Sequence, residues 1–221
     1  MTTLIQRTSR KTREQEYLDQ LFDLLPEQGR WTEADYLWLT EDINRFVEFT
    51  DGSLEFLPMP TDKHQAVLEF LFVLFLAHLK PLGGTVHLAV LRMRIREGKF
   101  REPDLLLVKD AKDPRRKNRY WTGADLALEV VSADKPERDL VDKRGDYAEG
   151  RIPEYWIVNP QTNTITVLRL EGEAYVEHGV FRRGDLATSV ILPGFAVNVD
   201  QTFSVDSPPD EDDPDEDESA D

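Results

Sequence analysis

Cysteine is absent from all 221 residues. That excludes disulfides and thiolate metal sites, and a reducing compartment is compatible with it. Histidine is scarce: His64, His78, His87 and His178 are scattered, with no HExxH-type pairing. Any metal site must therefore rest on carboxylates, which suit a hard cation such as Mg²⁺ or Mn²⁺. Long hydrophobic runs are missing too. The most apolar stretch, FLFVLFLA from Phe70 to Ala77, is closely flanked by Glu69, His78 and Lys80. A bilayer span needs roughly 20 apolar residues, so this run reads as a buried helix. The first residues, MTTLIQRTSRKTREQE, carry no apolar signal region. These absences predict a cytoplasmic protein with no membrane partner. Basic residues are lacking from the last sixteen, DSPPDEDDPDEDESAD. Ten acids there supply most of the net charge of −16 and leave −6 on the rest. The folded part is thus only mildly acidic, and a nucleic-acid partner is not excluded on charge. The expected organisation is a flexible basic stretch at 1–13, one domain at 14–205 and a disordered acidic tail at 206–221.

Apolar residues make up 40% of the chain, enough for a core. Helical spacing of Tyr17, Leu18, Leu21, Phe22 and Leu25 predicts a helix over 14–25. Thr32 is placed to cap a short helix. Phe46–Thr50 and Ser53–Leu57 flank Asp51-Gly52, a pair that tolerates the positive φ of a tight hairpin. Thr61 or Asp62 starts a long helix that runs through Lys80. Residues 85–95 read as one strand, with Arg92, Arg94 and Arg96 on one face and Met93 and Ile95 on the other. Asp104–Val108 and Leu126–Val131 are apolar enough for central strands buried on both faces. A charged loop separates them at 109–122. A helix over 136–149, a strand at Tyr155–Val158, a hairpin around Glu171-Gly172, and strands near 189–192 and 196–199 complete the reading. This order predicts an α/β layer fold: a mixed β-sheet flanked by helices, preceded by a β-hairpin.

Two acids stand where acids are costly. Asp104 enters an apolar strand, and Glu129 interrupts LALEVV. A buried lone carboxylate costs several kcal/mol if it stays ionised. Two on neighbouring strands repel each other. A divalent cation between them removes both penalties. On the helix that follows, Asp139, Lys143 and Tyr147 recur at four-residue steps and share a face. From that face Lys143 is able to point at the acid pair, while Tyr147 is expected to pack in the core with its hydroxyl satisfied.

The segments PDLLLV, ALEVVS and DLVDKRGDYAEGRIPEYWIVNP, in this order, resemble the Uma-two family of the PD-(D/E)xK, or restriction-endonuclease-like, superfamily. The hairpin RFVEFTDGSLEFLPMP and the helix opening DKHQAV match as well, and the similarity covers about residues 31–200. It implies a restriction-endonuclease-like core and a Mg²⁺-dependent endonuclease that hydrolyses DNA, acting as a homodimer. Asp104, Glu129 and the backbone carbonyl of Val130 would be metal ligands. Val131 occupies the place of the superfamily lysine, and the resemblance implies that the lysine has migrated to Lys143. Lys143 would orient the attacking water or stabilise charge on the phosphate. Glu48 would add a carboxylate, and His64 a contact to phosphate or water. Arg92, Arg94 and Arg96, and the loop residues Arg115, Arg116 and Lys117, are candidate phosphate contacts. The rival readings are a catalytically silent DNA- or partner-binding module on the same fold, and a carboxylate hydrolase of another phosphate ester or a glycan.

Overall fold

The computed structural model describes residues 25–43, 45–89, 91–132 and 137–205. The basic stretch 1–13, the helix expected from residue 14, the first residue of the crossover helix and the tail 206–221 lie outside the described residues.

Local signals act as expected at the N-terminal end. Helix α1 (Glu33–Asp42) starts at Thr32, whose hydroxyl accepts from the Asp35 amide at 3.1 Å while Asp35 accepts from the Thr32 amide at 3.0 Å. Such a reciprocal cap is worth about 1 kcal/mol. Strands β1 (Val47–Thr50) and β2 (Ser53–Phe56) turn on Asp51 (φ 46°) and Gly52 (φ 88°), both in the left-handed region this hairpin needs. At Gly52 any Cβ would also fall 2.6 Å from the backbone of Gly29. Thr61 caps helix α2 (Asp62–Leu79) by accepting from the His64 amide at 3.2 Å.

The single strand expected over 85–95 is two strands in different sheets. Strand β3 (Thr85–Leu88) joins the large sheet, and β4 (Met93–Arg96) joins the hairpin. Strand β4 pairs with β5 (Lys99–Arg101), and Ile95 is an extra residue in that pairing. The bulge breaks the period of two, so the arginines do not form one regular row. The small sheet runs β2-β1-β5-β4, and α1 covers it through Tyr36, Phe49 and Phe100.

The large sheet is mixed. Its order is β10-β9-β8-β7-β6-β3, built from β6 (Leu105–Val108), β7 (Leu126–Val130), β8 (Glu154–Asn159), β9 (Thr164–Glu171) and β10 (Ala174–Phe181). Only β7 and β8 are parallel, joined by a crossover that runs through a π-helical turn (Arg138–Asp142) into α3 (Lys143–Glu149). Every residue of β6 and β7 is buried, as the two apolar runs predict. Alternation sends Leu105, Leu107, Leu126, Leu128 and Val130 toward α2, and Leu106, Val108 and Ala127 toward α3. The expected buried helix is buried on one face only. Leu68, Leu71 and Phe75 of α2 pack inward, while Val73 is 54% exposed. The span Asp62–Leu82 is long and apolar enough to cross a membrane by length and composition.

The strand expected at 189–192 lies earlier, as β11 (Leu186–Thr188) paired with β12 (Ala196–Asn198); the short helix α4 (Val199–Thr202) follows. Residues 190 and 191 are unavailable for strand pairing because their amides donate to Glu154, at 2.6 and 2.9 Å. Glu154 is fully buried and also accepts from Trp156 Nε1 at 2.6 Å. We expect Glu154→Ala to strand three donors and destabilise the protein by at least about 3 kcal/mol, at about 1–3 kcal/mol for each donor left unsatisfied. The shift of the urea midpoint measures it.

Candidate active site

Pairing of β6 with β7 builds the site. The register sets Leu105 opposite Leu128. Asp104 immediately precedes β6, and Glu129 follows Leu128 in β7 and faces α3, where Lys143 and Tyr147 meet it. Asp104 Oδ2 accepts from the Val130 amide at 2.8 Å and lies 3.2 Å from His64 Nε2. The Asp104 side chain keeps 18% of its surface open, whereas Glu129 and Lys143 keep 2% and 3%.

Helix α3 supplies the counter-charge. Lys143 Nζ lies 2.8 Å from Glu129 Oε2, 3.1 Å from Asp139 Oδ1 and 3.9 Å from Glu48 Oε1. Tyr147, one turn on, donates its hydroxyl to Glu129 Oε1. Asp139, Lys143 and Tyr147 do share a face, on which Lys143 and Tyr147 both meet Glu129. Glu48 reaches the site from β1, where it also accepts from the Glu102 amide at 3.3 Å and faces Arg101 Nε at 3.5 Å.

Ionisation follows from burial and neighbours. Burial drives the Glu129 carboxyl well above its ordinary pKa; Lys143 opposes this, and the charges of Asp104 and Asp139 add to it. Burial alone would strip Lys143 of its proton, but Glu129, Glu48, Asp139 and Asp104 outweigh it and raise the ammonium pKa. For Asp104, burial is outweighed by the His64 hydrogen bond and the His64 and Lys143 charges, so its pKa falls. His64 is shifted up, because Asp104 more than offsets burial. Glu102 is pushed up to about 7 by burial, against the Val47 amide and Arg92.

His64, Glu102, Asp104, Glu129, Asp139 and Lys143 line a narrow cavity of about 50 Å³ between α2, the segment after β2, and the crossover, while Glu48 and Tyr147 stand behind it. At about 15 Å³ per water position, it holds about three waters or a partly hydrated ion. Among the described residues, no cluster of three or more histidine, aspartate or glutamate side chains is placed to hold a metal unaided. The expected set is instead two carboxylates and a backbone carbonyl, and Asp104, Glu129 and Val130 all border this cavity.

Asp139 is buried beside Lys143, a contact its four-residue spacing made visible. Sequence reading missed other residues here. Arg138 lines the cavity with 13% of its side chain exposed. Its Nε and Nη1 are buried without a hydrogen-bond partner, and Glu55 lies 3.5 Å away. Nothing in the local sequence marks Arg138, because its role depends on the π-helical turn that carries it. Asp146 holds Arg101 at 2.7 Å and Lys99 at 2.8 Å, which docks α3 on the small sheet.

The basic residues divide into two groups. Arg92 sits over the Tyr36 ring, donates to the Thr40 carbonyl and lies 3.5 Å from Glu102. Arg94 pairs with Glu33 at 3.1 Å, and Arg96 with Asp51 and Glu149, both at 2.7 Å. All three are tied to carboxylates and hold α1, the small sheet and α3 together. Arg115 is likewise clamped by Asp113 and Asp125, both at 2.6 Å. Arg116, set against the Trp121 ring, and Lys117 line an open groove of about 680 Å³. Ala89 borders both that groove and the acidic cavity.

The family model Uma2, described as "Putative restriction endonuclease", matches residues 33–200. A crystal structure of a protein from Anabaena variabilis, described as a putative nuclease belonging to DUF820, is similar over 85% of this chain and 97% of its own. The TM-score is 0.60 at 19% identity, so the two share a fold. No curated protein matches.

Proposed function

Because the chain belongs to the Uma2 family of putative restriction endonucleases, we propose that it is a metal-dependent endonuclease hydrolysing phosphodiester bonds in DNA. The observation that carries the reading is that Asp104 and Glu129 border one cavity, with the Lys143 ammonium 2.8 Å from Glu129. The donors are hard oxygens, and burial together with the charges of Asp104 and Asp139 pushes the Glu129 carboxyl pKa up, a penalty that a cation beside it would relieve. That chemistry fits Mg²⁺ or Mn²⁺. Asp104, Glu129 and the Val130 carbonyl would hold the ion, which when bound lowers the pKa of a water and polarises the scissile phosphate.

The remaining work falls to side chains already in place. His64 and the Val130 amide fix the Asp104 carboxylate, and Tyr147 fixes Glu129. Lys143 stays charged and supplies hydrogen bonds to the attacking water or the charge growing on the phosphate. Glu48 balances Lys143 from the hairpin. Arg138 lines the cavity with Nε and Nη1 free of hydrogen bonds, Nη1 being 3.5 Å from Glu55, and is suited to the phosphate oxygens. Phosphate contacts away from the scissile bond pass to Arg116 and Lys117, since Arg92, Arg94, Arg96 and Arg115 are bound to carboxylates. One such site cuts one strand, so a double-strand break takes two copies of the chain.

Nicking of supercoiled plasmid in Mg²⁺ or Mn²⁺, lost in Asp104→Asn, tests the proposal; intact plasmid with the wild-type protein at every metal concentration would overturn it. A binding measurement tests the basic groove separately. The Arg116→Ala/Lys117→Ala pair should flatten the dependence of log affinity on log salt by about 2, at about 0.9 per phosphate contact on duplex DNA.

A further inference from the structure

A second groove adjoins the acidic cavity. It has a volume of about 450 Å³, within the roughly 300–1,000 Å³ of small-ligand pockets. Pro58, Pro60, His64 and Ser132 form walls of both the groove and the cavity, so whatever fills one abuts what fills the other. Pro58, Met59, Pro60, Val131 and Pro160 give the groove its apolar surface, and Lys63 and Gln161 are among the polar residues that line the rest. Met59 is 71% exposed, a large apolar side chain left in water at the mouth of a polar site.

From this we infer that the groove is the subsite for an unpaired nucleobase next to the scissile phosphate, so that the preferred substrate is single-stranded or locally unpaired. The inference rests on the nuclease reading above for the position of that phosphate. Prolines and a thioether offer flat, polarisable contact and few hydrogen bonds. They suit the face of a base, not its edge. In a duplex the faces are covered by stacking, and only edges show in the grooves. Presenting a face requires unstacking, which costs least where the base is already unpaired. Recession of the site acts in the same direction: Glu129 and Lys143 keep 2% and 3% of their side-chain surface open in a cavity that Leu57, Pro58 and Pro60 also line, so a phosphate approaches more easily on one strand than on a rigid duplex.

Binding of three labelled probes of equal length decides the matter in Ca²⁺: oligo-thymidine, its duplex with oligo-adenosine, and an abasic sugar-phosphate chain. Fluorescence anisotropy should show oligo-thymidine bound at least about tenfold more tightly than the other two. Met59→Glu, at an exposed position that leaves folding intact, should bring oligo-thymidine down to the abasic level; Met59→Leu should keep the preference. Equal affinity for all three probes, or an equal loss on all three in Met59→Glu, would overturn the inference. The readout needs no cleavage. A base preference without plasmid nicking would sink the nuclease reading and leave the groove standing, and nicking without base preference would do the reverse.

Discussion

Lys143→Met should destabilise the protein by about 3–5 kcal/mol and abolish nicking, an outcome that few surface lysines would give. The magnitude is that of breaking a buried ion pair by removing one partner. Here the lost partner serves several carboxylates at once: Glu129 at 2.8 Å, Asp139 at 3.1 Å and Glu48 at 3.9 Å, all buried. Methionine fills the space and so removes the charge without opening a cavity. The deficit should depend on pH in a defined sense. Folding already raises the Glu129 carboxyl above its ordinary 4.5, so the folded state holds a proton that the unfolded chain gives up. Stability then falls as pH rises from 4.5 toward the folded value. Without Lys143 that value climbs further, so the variant's deficit is small below pH 4.5 and grows at neutral pH. Urea unfolding of both proteins at pH 4.5 and pH 8 measures it. Equal deficits at the two pH values would show that Lys143 does not neutralise Glu129.

The second large effect concerns Asp104. Its replacement by asparagine keeps the shape of the side chain and an oxygen for the Val130 amide, so folding should survive with a loss of about 1 kcal/mol. Cleavage should fall well beyond the 10–100-fold cost of losing a partner that merely orients a metal ligand. Thermal unfolding separates this from a general defect. A cation at about 100 times its Kd adds about 2.7 kcal/mol to the wild type. For a domain of this size that is a rise in Tm of about 5–10 °C. Asp104→Asn should show no such rise with Mg²⁺ or Mn²⁺, while His64→Gln, which loses only the partner of Asp104, should keep a reduced one. An undiminished rise in Asp104→Asn would remove Asp104 from the ion's ligands.

The acid pair was legible in sequence because each acid violates a local pattern. Glu129 stands inside a run that is otherwise wholly buried, and Asp104 stands at the mouth of another. The four-residue steps of Asp139, Lys143 and Tyr147 were legible for the same reason: they follow from helix geometry alone. Reading failed where backbone irregularity intervened. The bulge at Ile95 split the arginine row, and the π-helical turn put Arg138 into the cavity. It failed again where a side chain's partner lies far along the chain. Arg92 and Glu102, or Arg96 with Asp51 and Glu149, meet only because two sheets and α3 pack together.

Caps, the Asp51-Gly52 turn, the buried strands and the acids inside them are set by residues within a few positions of one another, since backbone sterics and side-chain periodicity act at that range. Tertiary structure alone decided which cations are spent on neighbouring carboxylates and which face the cavity, and that an apolar groove opens beside it. Those outcomes depend on which distant elements come to lie side by side, and a charged or apolar side chain carries no mark of the neighbour it will acquire.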